Sequence, residues 1–336
     1  MGIERFHTDM SLSRRTLALF VAASLFFGGT FVAAKAGLEY IPPLLFVALR
    51  FDIAAIALAV FALLTIPRAN LVPRTRGDLL GILATGVFAI GLANALLFVG
   101  QQSASSAVGA IVFSLNPILT PIVAAVLLAD ERLSRRGVVG MVLGLFGVAL
   151  VVNPDPEMLL SGGLGKLLIF AGAVSGALGS VLIRWSDASL SSTARTAWGL
   201  PVAAVMTHVT SLASGESLGQ VVWSPTAFIA LAYVGLLAGA VAYIAYFGLI
   251  DTTGAIRANL VFYVVPVVAT LGGWALLGET ITVMTVAGFL TIFAGFAVLG
   301  SESITVWVER RDILGKLPFT HDEESTPENG YSVRSD

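Results

Sequence analysis

The chain has 336 residues, 57% of them hydrophobic and 12% charged, with a formal net charge of −2 and a mean hydropathy of +0.90. Such a composition excludes an ordinary soluble globule, which needs more polar surface than this chain supplies. The near-neutral charge, with basic residues dispersed among loops, leaves no electrostatic footprint for a nucleic-acid partner, and the absence of cysteine removes disulfides and thiolate metal sites.

Residues 1–16 read as a cytoplasmic N-terminal segment with Arg5, Arg14 and Arg15. Apolar runs predict helical spans at 17–37, 44–64, 79–99, 105–128 and 136–153, long enough for a hydrocarbon layer of roughly 30 Å. The stretch from Leu79 to Ala129 holds no Asp, Glu, Lys or Arg. These runs are continuously apolar rather than alternating, which points to helices and away from a membrane barrel. The run from Leu17 to Ala34 is long for a signal-peptide core and reads as the first span. Asn153-Pro154-Asp155-Pro156 breaks the helical pattern and opens a linker at 154–165. Five further spans are predicted at 166–184, 194–213, 227–249, 255–277 and 282–300. In the remaining segment, 301–336, Ile304, Trp307, Val308, Arg311 and Leu314 recur at helical spacing, which fits a short helix at the membrane surface. The acidic stretch from 320 onward reads as a disordered cytoplasmic tail.

The two groups of spans match each other at an offset of about 149 residues. Gly86, Ala89, Ala93, Phe98, Val112, Phe113, Pro117 and Leu128 fall on Gly235, Ala238, Ala242, Phe247, Val261, Phe262, Pro266 and Leu277. With one extra residue in the first copy, Glu131, Gly140, Gly147 and Ala149 fall on Glu279, Gly288, Gly295 and Ala297. Five spans per copy is an odd number, so the copies would insert upside down relative to each other, a recurrent way to build a transporter. The predicted fold is therefore an all-α integral membrane protein of ten transmembrane helices, arranged as two inverted five-helix repeats, 17–153 and 166–300.

Basic residues are retained on the cytoplasmic side. With the N-terminus inside, Arg5, Arg14, Arg15, Arg68, Arg74, Arg76, Arg132, Arg135, Arg136, Arg184, Arg195, Arg257, Arg310, Arg311, Lys316 and Arg334 all fall inside or at that border. The outer loops hold only Lys166, and both termini are assigned to the cytoplasm. The loop with Arg68, Arg74 and Arg76 has a counterpart around Glu216 to Pro225 without a basic residue, as the inversion requires.

Several residues within the spans carry functional expectations. Pro117 and Pro266, in the fourth helix of each copy, each free a backbone carbonyl and predict a kink beside a central cavity. Asn94 and Tyr243 are counterparts in the third helices, and Asn116, Tyr246, Asn259 and Tyr263 complete the polar candidates for substrate binding. Arg50 and Asp52 are charges inside the membrane, costly enough to imply a role or a partner. Arg50 is the candidate anion contact and Asp52 the candidate coupling site, with a structural ion pair to Lys35 as the plainer alternative for Asp52. His208 reads as a histidine hydrogen-bonded within a bundle. Glycine pairs such as Gly140 and Gly144 let helix backbones approach, within one chain or between copies. Metal-protease, phosphate-loop and serine-hydrolase motifs are missing, so neither an enzyme nor a cofactor is expected and transport would be gradient-driven.

Gly28-Gly29-Thr30-Phe31, Arg50, Asn116-Pro117 followed by Ala129-Asp130-Glu131-Arg132-Leu133-Ser134, and Val265-Pro266 followed by Leu277-Gly278-Glu279-Thr280-Ile281-Thr282 resemble the EamA family of the drug/metabolite transporter superfamily. The resemblance covers about residues 17 to 300. It implies a ten-helix carrier of the inner or plasma membrane that moves small metabolites, often outward. The extra residue between Pro117 and Glu131 departs from the pattern and brings Asp130 into competition for the acidic position. The expected function is secondary transport of small, amino-acid-like or other organic solutes by alternating access. Its partners would be the solute, the bilayer and a coupling ion. The alternative is a membrane receptor or scaffold acting through the acidic tail.

Overall fold

The computed structural model describes residues 14–127, 135–152, 164–253, 258, 260–295 and 297–298. Asn259, Asp130, Glu131, most of the linker and the whole tail lie outside these residues. The described residues are helical, without strands. We number the helices α1 (Arg14–Gly37), α2 (Pro43–Thr65), α3 (Arg76–Gln101), α4 (Ser106–Leu127), α5 (Arg135–Val152), α6 (Leu164–Trp185) and α7 (Ser192–Ala213). α8 (Pro225–Leu249, with helix continuing to Thr253), α9 (Val261–Leu277) and α10 (Val283–Gly295) follow. Six of them, α1, α2, α3, α4, α6 and α8, are long and apolar enough to cross a membrane, and α9 and α10 are shorter apolar helices. α7 is as long but more polar; its Thr207 and Thr210 hydroxyls donate to carbonyls of the preceding turn, which satisfies them within the helix.

Local chemistry sets the helix ends. Ser105, Ser191 and Ser224 accept the third backbone N–H of α4, α7 and α8, and Thr75 forms a reciprocal capping box with Asp78 at α3. Gly278, at φ 65°, ends α9 in the left-handed conformation that a side chain disfavours. At α2 the cap residue is Pro42 and the first helical residue Pro43, so the first free donors are the N–H groups of Leu44 and Leu45. Both are taken by Glu216, from the turn after α7, at 3.3 and 2.6 Å.

The packing partners come in exchanged pairs. α1 lies against α8 and α9, and α6 lies against α3 and α4. α2 packs on α8, α7 packs on α3, and α2 and α7 pack on each other. α5 and α10 meet through glycines: a Cβ on Gly147 would stand 2.8 Å from the Gly288 carbonyl oxygen, and one on Gly295 would stand 2.6 Å from that of Gly140. Under the sequence offset, each of these two contacts is the other with its members swapped. In lipid, such close backbone approach supplies the van der Waals packing that holds helices together.

The turns join in the same manner. The Asp78 carboxylate accepts from Ser189 and Leu190 N–H in the turn before α7, and Glu216 reaches from the turn after α7 to α2. Glu279, after α9, accepts from the N–H and hydroxyl of Ser106 at the start of α4. Thr282 caps α10 instead.

α3 and α8 each contain a π-helical stretch, Ala84–Leu92 and Tyr233–Val241, separated by the same offset of about 149 residues. The N–H of Ala242 bonds to Leu237 O, five residues back. Such stretches change the rotation per residue and so re-aim the side chains that follow. At Pro117, where the sequence predicts a kink, α4 is interrupted. Its helix stops at Phe113 and restarts at Asn116, so Pro117 sits in the first turn of the second piece, where its missing N–H costs little, and Pro121 lies inside it. α9 runs through Pro266.

Gly179 of α6 lies on the π-helical part of α3, where an added Cβ would be 2.7 Å from Ala89 Cα. Gly179→Val forces two backbones apart. We expect a loss on the order of 1–3 kcal/mol, read as a lower melting temperature of the detergent-purified protein; an unchanged melting temperature would show that α3 and α6 are not so closely packed.

Candidate functional site

Arg50, on α2, is 4% exposed. Its Nη1 donates to Asn94 Oδ1 at 3.3 Å, and Asn94 Nδ2 donates to the Ile90 carbonyl of the π-helical stretch at 2.7 Å. That second bond orients the amide, so its oxygen faces the guanidinium. The guanidinium carbon stands 5.1 Å from the ring centroids of both Phe51 and Phe98, within range of cation–π attraction. Tyr243 of α8 is close enough to interact electrostatically with it. Arg50 Nε is buried with no hydrogen-bond partner, and Arg50 has no carboxylate partner among the described residues. Asn94 and Tyr243 each stand two residues past a π-helical stretch.

An aromatic cluster adjoins Tyr243. Phe27 of α1 makes edge contacts with Tyr243 at 5.2 Å and Tyr246 at 6.0 Å and stacks on Phe262 at 6.2 Å. Tyr246 and Phe262 are 5.4 Å apart, and Tyr243 meets Phe247 at 5.8 Å. Further along α9, Tyr263 packs edge-on against Phe293 of α10 at 5.7 Å, and with Pro266 it borders a void of about 10 Å³. Asn116 rests on α6, its Nδ2 being 2.8 Å from where a Cβ on Gly176 would stand, and its Oδ1 is buried without a partner.

The predicted site residues thus divide. Arg50, Asn94 and Tyr243 come together, with Tyr246 next to them. Tyr263 and Pro266 form a second group between α9 and α10, and Asn116 faces α6. Pro117 is placed by its backbone at the break in α4, and Asn259 lies outside the described residues.

Asp52 does not pair with Lys35. Lys35 Nζ donates to the Gln101 and Gln102 carbonyls at 3.0 and 3.1 Å, where it neutralises the C-terminal end of α3. Asp52 Oδ2 meets His208 Nε2 of α7 at 2.8 Å, with 44% and 38% of the two side chains accessible. Two residues along α2 from Arg50, Asp52 cannot share its face. The phenylalanines around the cation, Phe51 and Phe98, carry no polar group to mark them in an apolar span; the match of Phe98 to Phe247 is the one signal for them in the sequence.

A cleft of about 630 Å³ opens at the C-terminal end of α2. Phe61 and Thr65 of α2, Asn70 and Arg74 from the turn, Thr193 of α7 and Phe247 of α8 line it. Phe247, on its wall, packs against Tyr243, which belongs to the aromatic cluster beside Arg50.

A model of the EamA-like transporter family matches the chain twice, over residues 14–153 and 163–301. The transporter YoaV of Bacillus subtilis is 28% identical over 280 residues, covering 82% of this chain and 93% of that protein. YyaM of the same organism, also a transporter, is 30% identical over 282 residues (81% and 89%). The inner membrane transporter YedA of Escherichia coli is 31% identical over 274 residues (80% and 86%). A solved crystal structure superposes with a TM-score of 0.59 at 22% identity, covering 87% of this chain and 98% of that one, a likeness of fold. Long apolar helices, two matches to one family over most of the chain, and relatives that are transporters lead to one assignment: the chain belongs to the EamA-like transporter family and is a membrane transport protein.

Proposed function

We propose that the chain is a secondary transporter of small organic metabolites that works as an exporter of the cell membrane. Ten helices span the bilayer as two inverted repeats of five, 17–153 and 166–300, with both termini cytoplasmic. The site lies between the repeats and is exposed alternately to each side as one half rocks on the other. The observation that carries this reading is the exchange of contacts across the halves: Gly147 on Gly288 and Gly295 on Gly140, with π-helical stretches at matched places in α3 and α8. Two halves related by such exchange have two equivalent ways to tilt against each other, which is what alternating access requires. The cleft by Arg74 then opens to the cytoplasm, which supports an inward-open state.

Within this reading, Asn94, Tyr243 and Tyr246 contact the solute, with Asn259 a further candidate contact, while Asn116, Pro117, Tyr263 and Pro266 shape the moving fourth and ninth helices. Asp52, paired with His208, is the coupling group, since a carboxylate and an imidazole 2.8 Å apart can exchange a proton.

The test is flux in proteoliposomes with a metabolite panel, with and without an imposed pH gradient. We expect uptake of at least one organic solute. Asp52→Asn should remove most of the stimulation by the gradient while leaving downhill flux. No flux of any solute by demonstrably folded protein would refute the transport reading, and an unaltered response of Asp52→Asn would remove Asp52 from coupling.

A further inference from the structure

We propose that Arg50 is the counter-charge for a carboxylate on the transported solute, so that the substrates of this chain are small organic acids or amino acids held by that group. The inference rests on the transporter reading and names its substrate class. A guanidinium carries five N–H donors in a fixed fork and cannot be deprotonated in proteins. Here it is 4% exposed, and among the described residues it meets one side-chain acceptor, the neutral Asn94 Oδ1, at the long distance of 3.3 Å.

Its remaining surroundings attract a cation without satisfying its hydrogen bonds. Phe51 and Phe98 offer ring faces at 5.1 Å, and Nε has no acceptor at all. A buried charge held by packing alone would be among the costliest features in the chain. Lys35 shows the contrast: placed against two carbonyl oxygens, it has acceptors of its own and needs no ligand.

The geometry around Arg50 therefore lacks one component, an acceptor able to take two donors side by side. A carboxylate is that acceptor and pairs with the guanidinium fork in bidentate fashion. Asn94 of α3 bonds the cation and Tyr243 of α8 interacts with it electrostatically, and these helices belong to different halves. A carboxylate bound there would touch both halves at once, and its arrival or departure would bias their relative tilt. The aromatic cluster of Phe27, Tyr246, Phe247 and Phe262 lies on the Tyr243 side, suited to an apolar or aromatic remainder of the same solute.

The experiment is thermal protection of the detergent-purified full chain by a panel of carboxylates (lactate, pyruvate, alanine, leucine, phenylalanine), each set against its primary amide, with chloride and inorganic phosphate as further arms. At least one carboxylate should raise the melting temperature while its amide does not. Arg50→Gln should abolish that protection. Arg50→Lys, which keeps the charge but not the fork, should weaken apparent affinity about tenfold or more. Size-exclusion profiles and unliganded melting temperatures establish folding, and Arg50→Lys carries the test if the glutamine variant is unstable. The proposal is overturned if amides protect as well as acids, if only chloride or phosphate protects, or if Arg50→Lys responds as the wild type does. Flux in liposomes separates the two claims: neutral solutes carried without protection by any carboxylate would leave the transporter reading standing and sink this one. Carboxylates bound through Arg50 but never moved would do the opposite.

Discussion

Asp78→Ala is expected to destabilise the protein on the order of 3 kcal/mol or more, the largest stability effect of any single side chain we describe. The residue is fully buried. Its Oδ2 accepts from the N–H groups of Arg74 and Thr75 at 3.0 Å each, and its Oδ1 accepts from those of Ser189 and Leu190 at 2.8 and 3.1 Å. The Ser189 hydroxyl adds a further bond at 3.0 Å. One carboxylate thus closes the start of α3 and fastens it to the turn before α7. Alanine leaves several of these donors unpaired, at about 1–3 kcal/mol for each that water cannot reach. Asparagine keeps one acceptor but turns an NH₂ toward N–H donors, so its cost is smaller though of the same sign. Melting followed by size-exclusion fluorescence reads both variants. An alanine variant that melts with the wild type would show that Asp78 is not the tie between these turns.

The largest effect on activity is expected from filling the cleft at the end of α2. The chain has no cysteine, so Phe61→Cys introduces a single reactive thiol on the cleft wall. Modification with a bulky maleimide should lower solute flux by about tenfold or more, because the adduct occupies a volume of about 630 Å³ walled by Phe247, whose ring packs on Tyr243. The unmodified variant serves as its own baseline. Leu218→Cys, on an exposed turn at the other end of the helices, should be insensitive to the same reagent. Full flux after complete modification of Phe61→Cys would mean that solute does not pass this cleft.

Much of the fold was legible because a bilayer permits few solutions. Continuous apolar runs could only be helices, and their lengths and the flanking Ser, Pro and Gly residues located the ends closely: 44–64 was expected for the helix at Pro43–Thr65, and 166–184 for Leu164–Trp185. A proline in an apolar run predicts a kink but not its form: here the chain ends one helix at Phe113 and starts another at Asn116, putting Pro117 where a missing N–H matters least. The π-helical stretches left no trace in composition, since Ala84–Leu92 and Tyr233–Val241 read as ordinary apolar helix.

The site was legible by residue type but not by partnership. Arg50 and Asn94, far apart in sequence, were each picked out as polar groups in an apolar span, and their meeting at 3.3 Å depends on packing between α2 and α3. Asp52 was offered Lys35 on the ground of charge alone. His208 takes that place because α2 and α7 pack on each other, a pairing that no motif in the sequence announces. Glu216 and Glu279 were equally hidden, because a carboxylate in a turn looks like surface until the helix it caps is in view.

The central claim is that the two halves are inverted repeats, and the turns after α2 and after α7 test it most sharply because the inversion would place these counterparts on opposite faces of the membrane. Single cysteines at Arg74→Cys and Leu218→Cys, in the otherwise cysteine-free chain, should respond differently to a membrane-impermeant maleimide applied to intact cells. The account predicts labelling at position 218 only, with position 74 becoming reactive after permeabilisation. Labelling of both positions from the same side of the membrane would contradict it.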